Sequence, residues 1–193
     1  MSIVETLIFD RTASDVQRIA SLVSASQKRP LTDAELQQWN AYTVRGAYNA
    51  EDLNRVGEAA IYVNAYLSTV QDSIDAYRES LGVASDAIFI APIKEPAEDI
   101  APRLDFARGD HPTVILADAS NTMHAAAVVA KRADITFEVD VVRMTYRGAN
   151  DVERALYDAY HHGKNAEETR KDKADRIAAA WYYSGDLFCG DLS

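Results

Sequence analysis

AEDLNRVGEAAIYVNAYLSTVQDSIDAYRESLG, residues 50–82, is the stretch of sequence that decides the architecture of this chain. Apolar side chains recur along it at alternating steps of three and four residues, which places them on one face of an α-helix, as in a coiled coil. These positions are Leu53, Val56, Ala60, Val63, Leu67, Val70, Ile74, Tyr77 and Leu81. Asn49 is a good N-cap and Gly82 a good terminating residue, so we predict a helix over 50–81, about 48 Å long.

The apolar stripe of this helix has two candidate partners. The helix is as long as a globule of 193 residues is wide, which favours packing between copies of the chain. The flanking positions, with Gly57, Asn64 and Gln71 on one side, lack the charge pairs of most two-stranded coiled coils, which favours a bundle within one chain. Both packings stay open. The predicted contact residues are Leu53, Val56, Val63, Leu67, Val70, Ile74 and Tyr77.

Two shorter helices are predicted before the long one. Thr12 and Asp15 have the spacing of a capping box and stand ahead of apolar residues at helical intervals. Thr32 and Glu35 repeat this spacing before a second, shorter amphipathic segment. We therefore predict that residues 1–82 form a helical region.

Residues 83–146 differ in character from this helical region. Residues 88–90 are typical of a short strand, and the prolines that follow them prevent a continuous helix. TVILAD (113–118) is predicted as a strand, ASNTMHAAAVVAKRA (119–133) as a helix, and the alternating ITFEVDVVRMTY (135–146) as another strand. We interpret this mixed strand and loop region as a candidate insertion.

The last part of the chain, residues 147–193, is predicted as two helices, about 149–162 and 166–180, followed by a C-terminal strand. WYYSGDLFCGDLS (181–193) is too apolar for a free tail, so we predict an assembly arm that docks on a neighbouring subunit. Its predicted contact residues are Leu187 and Phe188. The fold class that follows is α+β, mainly α, with a smaller mixed α/β region after the long helix.

Composition narrows the classes of function. A hydrophobic content of 48% is typical of a globular protein. Twenty Lys and Arg against thirty Asp and Glu give a net charge of −10, which disfavours nucleic acid and anionic membranes as partners. The single cysteine, Cys189, allows no disulfide within the chain and fits a reducing compartment. Neither a signal peptide nor a membrane-spanning segment is expected.

The sequence contains no complete motif for catalysis, a metal or a cofactor, and we predict none of these sites. His161 and His162 are adjacent, so on a helix they point in different directions and cannot form a metal-gripping pair. Asp118 follows a predicted strand, yet the next residues lack the glycines of a phosphate-binding loop. Ser120 and His124 have no nucleophile elbow around them, and capping of a helix explains them more simply.

A four-residue pattern of Asp, an aliphatic residue, a polar residue and Arg recurs at three predicted helix starts. It begins at Asp15, Asp52 and Asp151. An aspartate in the first turn interacts favourably with the helix dipole, and an arginine three residues later can pair with it. The pattern indicates either three independent helix starts or one small module used more than once.

Three stretches carry a resemblance to a known group of proteins: LIFDRTASDVQR (7–18), RGAYNAEDLNRVGEAAIYV (45–63) and MTYRGANDVERAL (144–156). They resemble segments of structural proteins encoded in the tail modules of phages and prophages of Gram-positive bacteria. The resemblance covers about the first 65 residues and parts of the last 50, and it leaves out residues 83–143. It implies no catalytic residues.

The function that this resemblance implies is that of a virion structural protein, in a tail, a baseplate or a connector. Its partners would be copies of itself and other virion proteins, and it would be assembled in the host cytoplasm. The alternative function is a small cytosolic α/β protein or enzyme with a site in the 111–146 region.

Overall fold

The structure, a computed structural model, describes residues 2–46, 50–85, 88–93, 110–132, 134 and 145–189. Its regular elements are a short 3-10 helix, Ile3–Thr6, and five α-helices. The α-helices are α1 (Ala13–Ser26), α2 (Asp33–Gly46), α3 (Ala50–Ser80), α4 (Asp110–Ala130) and α5 (Tyr146–Cys189). Because every regular element among these residues is helical, the predicted α+β class is wrong.

The predicted strands of the middle region are not strands where the structure describes them. Residues 113–118 belong to α4, and residues 88–90 have no regular structure. Residues 135–144 of the other predicted strand lie outside the described residues. The misassignment of 113–118 has a physical cause, because a short apolar run fits a buried strand and a buried helix equally well. Four-residue steps from Ile115 onwards, through Ala119 and Met123, bury one helical face.

The predicted helical pair and C-terminal strand are instead one continuous helix, α5, which runs to Cys189. The predicted break lies at Gly163, which is buried where α5 meets α3. A helical glycine costs only about 1 kcal/mol relative to alanine, so tertiary packing readily keeps the helix intact. The aromatic residues that suggested a strand after residue 180 continue the helix to residue 189.

The predicted capping boxes are confirmed at both short helices. The backbone N–H of Asp15 donates to Thr12 Oγ1 at 3.3 Å, and the Thr12 N–H donates to an Asp15 carboxylate oxygen at 2.8 Å. Thr32 and Glu35 make the same pair of bonds, at 3.3 and 2.9 Å. Each box satisfies two backbone donors at a helix start, which is why this spacing identifies the start from sequence.

The predicted apolar stripe of α3 is a buried face. Its first seven positions, from Leu53 to Ile74, are at most 4% exposed. The adjacent positions Gly57, Asn64 and Gln71 are buried as well, so the buried surface is wider than a two-stranded seam. The stripe is covered by α4 and α5 of the same chain.

The three long helices run parallel to one another. Side-chain contacts between α3 and α5 advance together along both helices, from Arg55 with Glu153 to Tyr77 with Asp175. Contacts between α3 and α4 advance in the same direction, since Gly57 faces Ile115 and the carbonyl of Ala60 accepts from Thr122. Short loops join antiparallel helices, so a parallel set requires long returns between its members.

The segment that follows α3, described over residues 81–85 and 88–93, runs back along α3 toward its N-terminal end. Arg78, near the end of α3, donates to the carbonyl of Ala84 at 2.7 Å. Asn64, four turns earlier on α3, donates to the carbonyl of Ala91 at 3.2 Å and accepts from the N–H of Ile93 at 3.3 Å. The side chain of Asn64 therefore replaces the strand partner that this extended backbone would otherwise need.

At Gly163, α5 packs closely against α3. A Cβ built on it would lie 2.5 Å from Leu67 Cδ2, a side chain with no exposed surface. We expect Gly163→Ala to destabilise the chain by about 1–3 kcal/mol through overpacking, despite its better helix propensity. Urea denaturation measures this. In a Leu67→Ala background the same substitution should cost much less, because the clashing methyl group is gone; equal costs in both backgrounds would contradict the close packing.

Two helices end in the same left-handed turn, one with glycine and one with lysine. Gly82 after α3 has φ +69°, and Lys131 after α4 has φ +54°. Both ends carry the paired bonds of a Schellman motif, with N–H donors of Gly82 and Val83 at 2.9 Å and of Lys131 and Arg132 at 3.0 and 2.9 Å. The left-handed conformation strains every residue with a Cβ.

Lys131→Gly is therefore expected to raise the free energy of unfolding by about 1 kcal/mol. The reverse substitution, Gly82→Ala, should lower it by a similar amount, since a Cβ there meets no atom within 4 Å and only the backbone conformation is at issue. Chemical denaturation of both variants checks this. Shifts in the same direction would show that strain is not the cause.

Candidate functional site: a buried charge cluster

Four charged side chains meet near the N-terminal ends of α3 and α5. Arg11 comes from the segment before α1, Asp52 and Arg55 from the first turns of α3, and Glu153 from α5. We call these four residues the charge cluster. The side chains of Arg11, Asp52 and Glu153 are at most 1% exposed, and that of Arg55 is 14% exposed.

The two arginines bridge the same two carboxylates. Arg11 Nη2 donates to Asp52 Oδ1 at 2.9 Å and to Glu153 Oε1 at 2.8 Å. Arg55 Nη2 donates to the same two oxygens, at 2.5 and 3.0 Å, and its Nε donates to Glu153 Oε2 at 3.1 Å. The cluster holds two positive and two negative charges, so it is neutral as a whole. Neutrality and shared hydrogen bonds offset the cost of desolvating four ions.

The cluster also fastens the N-terminal segment to α5 through its backbone. The N–H of Ile8 donates to Glu153 Oε2 at 2.6 Å. Asn150 accepts from the N–H of Arg11 at 3.1 Å and donates to the Arg11 carbonyl at 2.8 Å, as a neighbouring strand would. Arg11 in turn donates to the carbonyl of Ile8 at 2.5 Å. Segments about 140 residues apart in sequence are thus joined by hydrogen bonds to buried groups.

The two carboxylates favour the charged form of Arg55. Burial lowers the pKa of Arg55, but hydrogen bonds and the charges of Glu153 and Asp52 raise it further, so the pKa lies above its ordinary value. The carboxylates therefore face cations that do not titrate in the physiological range. Such an arrangement holds chain segments in place.

The three recurring Asp-to-Arg patterns have different roles. Asp52 and Arg55 form the expected i, i+3 pair, within the charge cluster. Asp15 caps α1, as its position in the first turn predicted. Arg154, in the third pattern, lies over the ring of Phe9 with its guanidinium carbon 4.2 Å from the centroid. The sequence did not single out Glu153 as a site residue. Its position next to Val152 and three residues before Leu156, both buried, was the only signal that this charged side chain lies on the buried face of the helix.

An aromatic row continues from the cluster along α5. Phe9 packs on Tyr157 with centroids 5.4 Å apart, Tyr157 on His161 at 4.4 Å, and Tyr66 on Tyr160 at 4.6 Å. Burial is the main cause of the raised pKa of Tyr66 and Tyr160. The row joins the N-terminal segment to both α3 and α5. These rings act as anchors of the fold in the part of the chain that the structure describes.

The residues considered for chemistry lie on helices. His124 Nδ1 lies 2.7 Å from the backbone carbonyl of Ser120, one turn earlier on α4, which is local helix bonding. Asp118, whose pKa is raised by burial, stands within α4 and not at the end of a strand. The strand predicted at 113–118 is therefore a helix, and residues 135–144 of the other predicted strand lie outside the described residues. Among the described residues, no group of three or more His, Cys, Asp or Glu could hold a metal ion.

The predicted contact residues fall into two sets. Those of α3 lie inside the chain, apart from Tyr77, which is half-buried and donates to Asp175 at 2.8 Å. Leu187 and Phe188 lie in the last turns of α5, and their side chains are outside the described residues. Just before them, Trp181 is 56% exposed and Tyr182 is 71% exposed.

The helices were also assessed for their capacity to cross a membrane, and the whole chain for similarity to known proteins. Over the described residues, no helix combines the length and the apolar character that a membrane crossing requires. In the charge cluster each arginine pairs with both carboxylates, and these ion pairs hold the N-terminal segment, α3 and α5 together. Comparison of the chain with protein-family models, with curated proteins and with solved structures finds no match.

Proposed function

We propose that this chain is a virion structural protein of a phage or prophage of Gram-positive bacteria, in the tail, the baseplate or a connector. The observation that carries the proposal is where the three resembling stretches lie. Arg11 belongs to the stretch 7–18, Asp52 and Arg55 to 45–63, and Asn150 and Glu153 to 144–156. All five residues belong to, or bond directly to, the charge cluster.

This convergence supports a shared structural unit. Three short matches scattered along a chain have little weight when each is taken separately. Here residues of each stretch bond to residues of the other stretches, across sequence separations of 41 to 145 residues. Residues that must all be present for a buried charge network to be neutral are expected to occur together in related chains.

The proposed role is assembly without catalysis. The chain would act through contacts with copies of itself and with other virion proteins, and it would be assembled in the host cytoplasm. A net charge of −10 favours protein partners over nucleic acid or an anionic membrane. The interlocked N-terminal segment, α3 and α5 would supply the rigid body on which such contacts are placed.

The test is incorporation into particles. Particles from an induced host that carries the gene would be purified by density gradient and analysed by quantitative mass spectrometry, and we expect the chain in fixed stoichiometry with known tail proteins. Deletion should leave incomplete particles. A gene with Glu168→Ala, at an exposed position of α5, should restore them, and Glu153→Ala should not. Infectious particles that lack the chain would refute the proposal.

A further inference from the structure

A second buried polar contact joins the three long helices, further along α5 than the charge cluster. Arg170 of α5 is 5% exposed, and Gln71 of α3 is 3% exposed. Arg170 Nη1 donates to Gln71 Oε1 at 2.6 Å and to the backbone carbonyl of Val129, on α4, at 3.2 Å. One guanidinium therefore bonds to both of the other long helices.

The carbonyl of Val129 is an acceptor that suits an arginine. Val129 stands in the last turn of α4, which ends at Ala130. Carbonyl groups in the last turn of a helix have no partner within the helix, and they carry the negative end of its dipole. Arg170 supplies both a donor and a positive charge there, so it caps α4 from another helix.

The amide of Gln71 holds Arg170 in this position. Its oxygen accepts from Arg170, and its Nε2 donates to Asp75 Oδ2 at 2.8 Å. Because both ends of the amide are bonded, Gln71 cannot rotate away from Arg170 without losing a hydrogen bond. Gln71 thus acts on the end of α4 through Arg170.

The pairing of α3 with α5 has its own contacts near the level of Arg170. Ser73 Oγ and Lys171 Nζ each donate to Glu167 Oε1 at 2.8 Å, and Tyr77 donates to Asp175 at 2.8 Å. These bonds involve no residue of α4. Together with the charge cluster, they fasten α3 to α5 at two levels.

The other buried residues in this part of α5 are small. Among the described side chains of α5 beyond Leu156, the buried positions are Ala159, Gly163, Ala166, Arg170 and Ala174. Alanine and glycine each bury little apolar area. Arg170 is therefore the largest buried side chain that this part of α5 presents to its neighbours.

We propose that Arg170 is a latch for α4. While its guanidinium is in place the C-terminal end of α4 stays docked, and without it this end opens locally while α3 and α5 stay paired. The latch is a property of the isolated chain, so it is independent of the proposed role in a virion.

Native-state hydrogen exchange tests the latch in Arg170→Met, which keeps a long side chain but removes the donors. The N–H groups of Lys131 and Arg132 form the turn that ends α4. They should exchange about 10-fold faster or more, because a hydrogen bond to a charged group is lost. Arg176→Met, at an exposed position of the same helix, is the matched control and should leave their exchange unchanged.

The turn after α3 is an internal reference in the same experiment. Its Gly82 and Val83 N–H groups make the same kind of bonds as those at the end of α4. Arg78, and not Arg170, holds this turn, through the carbonyl of Ala84 at 2.7 Å. The two N–H groups should therefore exchange in Arg170→Met as they do in wild type.

Gln71→Met distinguishes a latch from a loss of packing. It should speed the exchange of Lys131 and Arg132 by itself, and it should add little to Arg170→Met in the double variant, because both changes remove the same contact. Unchanged exchange at Lys131 and Arg132 in Arg170→Met, equal acceleration at Gly82 and Val83, or additive effects in the double variant would each overturn the proposal. Loss of helical circular dichroism in Arg170→Met would overturn it too, since α3 and α5 would then not stay paired.

Discussion

Leu67→Asp is expected to unfold the isolated chain, with a loss of about 4 kcal/mol or more in the free energy of unfolding. Leu67 has no exposed surface and lies in the middle of α3, against Gly163 of α5. A carboxylate there would be desolvated in an apolar environment, and the leucine volume is lost as well. Urea denaturation followed by circular dichroism measures the loss. Thr69→Asp, two residues away on the exposed side of α3, is the control and should change stability by less than about 0.5 kcal/mol.

The same variant separates the two packings of the α3 stripe. If the stripe is the core of one chain, Leu67→Asp removes helical circular dichroism whatever the oligomeric state. If it joined copies, the variant would dissociate an oligomer and leave folded subunits. The second result would contradict the burial of Leu67 by α4 and α5.

Glu153→Ala is expected to cost about 3–5 kcal/mol, because removing one partner leaves buried charges without compensation. Glu153 has no exposed surface and accepts hydrogen bonds from Arg11, Arg55 and the N–H of Ile8. Without it, two arginines share the single carboxylate of Asp52. Chemical denaturation measures the cost, and Glu168→Ala on the same helix should stay within about 0.5 kcal/mol of wild type.

Hydrogen exchange tests the cause of that loss. The backbone N–H groups of Ile8 and Arg11 donate to Glu153 and Asn150, so Glu153→Ala should speed their exchange before it affects the middle of α3. If both amides stay protected while stability falls, the substitution acts elsewhere and the N-terminal segment is held by other contacts.

The parts of the fold that could be predicted from sequence are those encoded locally. The capping boxes at Thr12 and Thr32 and the turn at Gly82 each depend on residues within five positions of one another. The apolar stripe of α3 repeats without interruption from Leu53 to Leu81, so its period is unambiguous. The capping boxes, the turn and the periodic stripe can be identified without knowing which other segment of the chain packs against them.

The parts of the fold that could not be predicted depend on which distant segment of the chain packs against them. Residues 113–118 are apolar in a strand and in a buried helix alike, and only packing on α3 decides between them. The pattern at Asp52 predicted its pair with Arg55, but no local spacing connects either of them to Arg11 or Glu153. A break was predicted between residues 162 and 166, although Gly163, which lies in that interval, is where α5 packs closely on Leu67.

The parallel course of the three long helices has a consequence for how the chain folds during synthesis. Ile8 and Arg11 leave the ribosome more than 130 residues before Glu153 and Asn150, with which they bond. The face of α3 that meets α5 likewise waits nearly 100 residues for its partner. High contact order of this kind slows folding and leaves apolar surface open in the nascent chain. Synthesis of α5 therefore completes the core that α3 and α4 begin, and until then the face of α3 that meets α5 stays uncovered.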